Sequence, residues 1–261
     1  MPADVHAPEV RRYLGAAPHL KHAELQALYR RLAADAMALA ASDGRRLHIL
    51  DLGAGEGSAT LAFLEAGAEV VAIDEDGARL DVLSERARSY PQSLDARTGD
   101  ASAVLAESAN EFDLVAAVSF LHHVPDYEAL VEAALSALRS GGVFFSFQDP
   151  LAHASLGPLT RWYARTAYLA WRISQGDLRN GARRYLRRRK HGLSPNLSDD
   201  AEEFHALRGG VDQQALLRTF ESHGVPTRLV LYFSTQSPAF QRLGSALGLE
   251  NTFAFIGGPV G

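Results

Sequence analysis

Apolar positions change their period along the chain. Between residues 20 and 40, Leu25, Leu28, Leu32 and Leu39 recur at spacings of three, four and seven, with Arg30, Arg31 and Asp35 off the stripe, which predicts an amphipathic helix docked on a larger body. From residue 47 the period shortens. LHILDL and AEVVAID are near-continuous apolar runs of strand length, each followed by a helix-length segment, and such runs fit parallel strands covered on both faces. Gly67 stands where a helix C-cap is wanted. SLDARTGD is a polar strand, FDLVAAVSF an apolar one, and PDYEALVEAALSALRSGG a helix with Leu130, Ala134 and Leu138 on one face and a glycine stop. GGVFFSFQDP is the next strand, ended by Pro150. Then VDQQALLRTFESHG predicts a helix between an Asp212 N-cap and a Gly224 C′ residue, and TRLVLYF and TFAFIGG complete seven strands. The expected fold is α/β: a doubly wound, seven-stranded, mostly parallel sheet, with ligands at the carboxyl ends of the first strands.

Some 60 residues between strand five and the helix near 211 exceed what this alternation needs. Structureless loops of that length are rare, and LGPLTRWYARTAYLAWRISQGDLRNGARRYLRRRK has a helical pattern, so a helical lid insertion is expected. The chain divides into an N-terminal helical cap (1–44), a ligand-binding core (45–150), the lid insertion (151–208) and the rest of the core (209–261).

With 47% hydrophobic and 22% charged residues, the 261-residue chain has the balance of a globular protein with a sizeable core. It has no cysteine, which excludes disulfides, thiolate metal sites and a cysteine nucleophile. No run approaches the ~18 apolar residues of a membrane span, and the first residues hold no apolar signal region, so the expected address is the cytoplasm without stable membrane insertion. A net charge of -5 gives no general attraction to nucleic acid. Locally the balance reverses: Arg161 to Lys190 holds ten basic residues and one acid, Asp177, among Trp162, Tyr163, Tyr168, Trp171 and Tyr185. Substrate recognition, contact with a membrane surface or nucleic acid, a subunit interface of a homodimer, and a plain solvated helix face all stay open for it.

The most informative run is Asp51-Leu-Gly53-Ala54-Gly55-Glu-Gly57, between an apolar strand and a helix and followed by a second strand ending in Asp74. Alternate glycines let the backbone turn sharply and let a ligand lie against it with no Cβ in the way. A dinucleotide fingerprint would set its third glycine where Ser58 stands, so a nicotinamide-dependent oxidoreductase fits poorly. Asp51 would repel a pyrophosphate, but suits a ligand with an ammonium or sulfonium group.

On these residues the chain resembles the class I S-adenosylmethionine-dependent methyltransferases, closely over about 45–150 and more loosely over the last 50 residues. The resemblance implies a Rossmann-like methyltransferase fold, S-adenosyl-L-methionine as cofactor and S-adenosyl-L-homocysteine as product. Asp51, Gly53, Ala54, Gly55 and Gly57 match the family's glycine turn. Asp74, with Glu75 and Asp76 as near competitors, matches the acid that accepts from the ribose hydroxyls. Asp100-Ala101 resembles the pair at the adenine, although Asp100 also suits a helix N-cap. Ser119 and Phe120 open the segment after strand four, where donor and acceptor meet in the family.

In Ser119-Phe120-Leu121-His122-His123, the two histidines are base candidates, because imidazole titrates near the working pH and an acceptor such as a phenol must lose a proton. The same run also serves in the family as a plain turn into the next helix. No carboxylate-histidine set at ligand spacing accompanies it, so no metal is expected. The run lacks the Asn/Asp-Pro-Pro-aromatic pattern of the family's amine-methylating branch, which points to oxygen or carbon and away from nucleic-acid bases. Asp149, Trp162, Tyr163, Tyr168 and His205 are the candidate substrate residues, and Asp149 also suits the role of a base or capping of the insertion. The expected function is methylation of a small-molecule acceptor in secondary metabolism; a cofactor-binding partner without turnover stays open beside it.

Overall fold

The computed structural model describes residues 17–40, 44–174 and 209–261. At the core of the fold is one seven-stranded sheet: β1 His48–Leu52, β2 Glu69–Asp74, β3 Leu94–Thr98, β4 Phe112–Val118, β5 Leu138–Pro150, β6 Thr227–Tyr232 and β7 Thr252–Gly257. Their order is β3-β2-β1-β4-β5-β7-β6, and β7 alone runs antiparallel to its neighbours. The order reverses between β1 and β4, and there the carboxyl ends of the strands open a crevice.

Helices cover both faces. On one lie α2 Ala23–Ala40, α3 Thr60–Glu65 and α4 Gly77–Arg86; on the other lie α5 Ala101–Glu107, α6 Tyr127–Ala137 and α8 Gln213–Ser222. A four-residue helix, α1 Pro18–Lys21, precedes α2, and α7 Pro158–Ser174 follows β5. Each face has its own apolar cluster, so the strands are buried on both sides, as their near-continuous apolar runs require. Gly67 and Gly224 adopt left-handed φ of 89° and 66° after α3 and α8, and the Asp212 side chain accepts from the Gln214 and Ala215 amides as the N-cap of α8.

Two local readings need correction, and one helix is added. Leu39 is 47% exposed, and the buried face of α2 runs through Leu25, Tyr29, Leu32, Ala33, Ala36 and Ala40. A stripe at spacing seven drifts by about 20° per heptad around a helix of 3.6 residues per turn, which carries Leu39 to the rim. Helix α6 stops at Ala137, before any glycine; Leu138 already pairs with Phe112, and the extra residues up to Val143 bulge out of register against β4. Finally, α9 Pro238–Ala246 fills the connection between β6 and β7. Its Ser237-Pro238 start was a legible signal for a helix, since proline suits the first helical turn.

At the amino-terminal edge of the sheet, buried Asp113 accepts from the Arg45 and Arg139 guanidinium groups and the His48 amide, so its charge is fully partnered. The buried carboxylates at the opposite edge are not so neutralised.

Candidate active site

The glycine turn leaves β1 with Gly53, Gly55 and Gly57 at φ of 67°, 54° and 85°, a region costly for any residue with a Cβ. Two of the three also pack too closely for a side chain: a Cβ on Gly53 would lie 2.2 Å from the Phe120 ring, and one on Gly57 would lie 2.3 Å from Leu83. Gly55 differs, because a Cβ there would meet nothing nearer than 4.0 Å. Its amide donates 2.8 Å to Asp74 Oδ2, while the Asp76 amide donates 2.9 Å to Oδ1. The turn and the end of β2 are thus tied through one carboxylate, whose two oxygens retain lone pairs for further donors.

Asp51 lies under this turn, 1% exposed, and accepts 2.6 Å from the Thr60 hydroxyl. Burial pushes its carboxyl up to about 7; the nearby Asp74 charge adds to the rise and the Thr60 hydrogen bonds oppose it. Nothing in the spacing of the sequence announced Thr60. The Ala54 amide is spent on the Ile73 carbonyl at 2.9 Å. Asp100 caps α5 by accepting from the Ala103 amide at 2.9 Å, and Ala101 opens that helix as a buried residue. Glu75 is exposed beside Asp74.

Across the crevice, Ser119 holds a left-handed φ of 56°, with its amide on the Phe147 carbonyl at 2.7 Å. The chain then enters a short 3-10 turn, Leu121–His123, which sets the His122 ring against Asp149 at the end of β5. The contact is twofold: Asp149 Oδ1 accepts from His122 Nδ1 at 2.7 Å and from the His122 amide at 3.1 Å. A carboxylate only accepts, so Nδ1 carries the proton and the Nε2 lone pair is left for chemistry. The His122 side chain is 16% exposed and Asp149 fully buried. His123 stacks beside it, ring centroids 4.1 Å apart. A cleft of about 330 Å³ is lined by His122, Val124, Pro125, Tyr127, Gly210 and Val211. The sequence points to His122 and Asp149 separately, His122 as a base and Asp149 as a substrate residue, a base or a cap; their pairing needs the register of β4 on β5.

The aromatic candidates on α7 are not gathered around this pair. Tyr163 is buried against Phe233 and Phe240, with its hydroxyl donating to the Phe240 carbonyl at 3.0 Å, so it anchors α7 to α9. Trp162 is 65% exposed, and Tyr168 is exposed and accepts from Arg172 at 2.8 Å. His205 and the basic run 179–190 lie outside the described residues. Among the described residues no cluster of three or more His, Asp or Glu side chains could hold a metal ion, and no helix is long and apolar enough to cross a membrane.

A reversed strand order, a glycine turn and an acid at the end of the second strand define a nucleotide-type binding fold of the α/β class. Residues 49–142 match the family described as "Methyltransferase domain". Over 109 residues the chain is 34% identical to a ubiquinone biosynthesis O-methyltransferase of Stutzerimonas stutzeri, covering 41% of this chain and 47% of that one. It is 36% identical over 99 residues to the protein of that name from Aromatoleum aromaticum, covering 38% and 42%. The chain thus spans under half the length of the curated relatives it matches. The fold is similar to that of magnesium protoporphyrin IX methyltransferase from Synechocystis PCC 6803, solved with SAM bound, at a TM-score of 0.52 and 12% identity, covering 96% of this chain and 91% of that one.

Proposed function

We propose that the protein is an S-adenosylmethionine-dependent O-methyltransferase that acts on a small-molecule hydroxyl, with His122 as its general base and Asp149 as the residue that positions the base. The hydrogen bond between His122 Nδ1 and Asp149, just after β4 and at the end of the adjacent β5, carries this reading, because it leaves the Nε2 lone pair to take up a proton. The residues around the turn fit the cofactor. The open face of Gly55 admits a ligand where a Cβ would intrude, and Asp74 offers two acceptor oxygens to a vicinal diol. Asp51, Gly53, Gly57 and the segment at Ser119 and Phe120 complete the proposed cradle, with Asp100 at the adenine. When bound, the cofactor supplies a methyl group already activated on a sulfonium.

His122 receives the hydroxyl proton as the oxygen attacks, and Asp149 stabilises the imidazolium that results. A cleft of about 330 Å³ beside His122 lies in the size range of small-molecule sites. The names of the relatives favour oxygen as the methylated atom. Those names belong to ubiquinone biosynthesis and lend no support to secondary metabolism.

Transfer of labelled methyl from S-adenosylmethionine to a panel of phenols tests the assignment. His122→Ala is expected to lower kcat/KM by about 10²–10⁴, the usual share of a general base, with S-adenosylhomocysteine affinity unchanged. Asp149→Asn should cost less and displace the pH–rate profile. Activity within a few-fold of wild type in His122→Ala retires the base; wild-type protein that fails to bind S-adenosylhomocysteine retires methyl transfer.

A further inference from the structure

Buried polar atoms are almost always hydrogen-bonded, because an unpaired one forfeits its hydration for nothing. Three exceptions sit on the N-terminal helices: both ring nitrogens of His19 and the hydroxyl of Tyr29 are buried without a partner. These side chains also touch each other, with ring centroids 5.9 Å apart, and both pack on Phe147 of β5, at 5.8 Å and 5.3 Å. Ring contact satisfies their apolar surface and leaves their polar atoms unspent.

Docking of the helices does not depend on those atoms. His22 meets the Thr235 carbonyl at 2.7 Å, Lys21 donates to Gln236 at 2.7 Å, and Arg228 pairs with Asp35 at 2.8 Å. Phenylalanine at either position would keep the packing and remove the cost. For the Tyr29 hydroxyl, Asp51 is a charged neighbour. Burial raises the Tyr29 hydroxyl pKa, and the Asp51 carboxylate raises it further, so the hydroxyl lies within electrostatic reach of the acid under the glycine turn. Asp51 is on β1, and β2, whose end carries Asp74, is the next strand.

We infer that His19 and Tyr29 bind the amino-acid end of the adenosyl cofactor, the carboxylate and ammonium attached through the sulfur. This rests on the cofactor reading above. A ribose at Asp74 leaves the rest of the molecule to run along the carboxyl ends of the strands, where β1 lies between β2 and β4. A neutral imidazole provides one donor and one acceptor, and a phenol hydroxyl provides both, a set matched to a carboxylate beside an ammonium. Asp51 supplies the opposing charge for the ammonium. An acceptor hydroxyl that must ionise is the poorer occupant, because the Asp51 charge would hold its proton on.

Calorimetry with two nucleosides on the full chain tests the inference. S-adenosylhomocysteine carries the amino-acid end; 5′-methylthioadenosine lacks it. Wild type is expected to bind both. His19→Phe and Tyr29→Phe should each weaken S-adenosylhomocysteine about tenfold, as loss of a hydrogen bond to a charged group does, and leave methylthioadenosine within twofold. The unliganded variants should melt at or above the wild-type temperature, which separates lost recognition from lost structure. Tyr29→Phe removes a single atom and keeps the test open if His19→Phe folds poorly. Equal weakening of both nucleosides, or S-adenosylhomocysteine affinity untouched by either substitution, would overturn the assignment. Wild-type binding of neither nucleoside instead sinks the cofactor reading, a distinguishable result.

Discussion

The two sides of the crevice use the same uncommon backbone conformation with different residues. On the glycine-turn side, Gly53, Gly55 and Gly57 occupy left-handed φ at little steric cost. On the β4–β5 side, Ser119 and Gln148 occupy it at 56° and 71°, where an L-residue forfeits roughly 1–2 kcal/mol. Distant partners hold them there. The Ser119 amide is fixed on Phe147, the Gln148 amide donates 2.9 Å to the Tyr232 hydroxyl, and the Gln148 side-chain amide donates 2.7 Å to Ser234. One half of the site is thus made of backbone that its own residues permit; the other is made of side chains aimed by strain that the tertiary structure sustains.

The largest effect is expected on the permissive side. Gly53→Ala combines a φ of 67° with a Cβ 2.2 Å from the Phe120 ring, and should lower stability by about 3 kcal/mol and abolish S-adenosylhomocysteine binding. Gly67→Ala is the control: its φ is 89°, but a Cβ there meets nothing within 4 Å, so only the backbone cost of roughly 1 kcal/mol should appear. Denaturant unfolding of the two variants separates conformation from close approach. Equal losses would mean that Phe120 yields and that the two sides of the crevice are not in tight contact.

This contrast also explains what the sequence made legible. The glycine turn, Asp74, the seven strands and the N-cap at Asp212 are local signals, in which spacing and residue type suffice. His122 was nameable as a base, but its partner Asp149 is 27 residues away, and only the β4–β5 register joins them. His19 and Tyr29 carried no signal at all: a histidine in a four-residue helix and a tyrosine on an amphipathic one read as surface or ordinary core, and their significance lies in hydrogen bonds that are missing. Tyr163 packs against α9 through a contact 77 residues away in the chain, which the pattern of α7 alone does not contain.

Titration offers a second way to set the halves against each other. Burial lowers the His19 pKa from 6.5 to about 4, so the folded state keeps the ring neutral while the unfolded chain takes up a proton. Stability is complete above pH 6.5 and falls as the pH drops toward 4, by roughly 3 kcal/mol at most. Asp51 works in reverse: its folded carboxyl titrates near 7, above the unfolded 3.8, so its charged form penalises the fold at high pH and the penalty lifts as the pH falls. The two slopes oppose each other in wild type. His19→Phe should therefore gain stability between pH 7 and pH 5, and Asp51→Asn should lose it, as read by chemical denaturation across that window. Parallel profiles for the two variants would show that neither group titrates as its burial demands.

The smallest effect, and the most direct measure of the strain on the β4–β5 side, is expected from Ser119→Gly. Glycine tolerates the left-handed φ, so the folded state is relieved of roughly 1–2 kcal/mol, while the greater freedom of glycine in the unfolded chain returns about half of that. A net gain of about 0.5–1 kcal/mol, or a rise of a few degrees in Tm, should follow. Gln148→Gly relieves the same strain but also removes the hydrogen bond to Ser234, so its net change should lie near zero. A stabilised Ser119→Gly beside a neutral Gln148→Gly would sharpen the contrast into a number. A destabilised Ser119→Gly would remove it, because the conformation at Ser119 would then cost the protein nothing and the two sides of the crevice would differ only in composition.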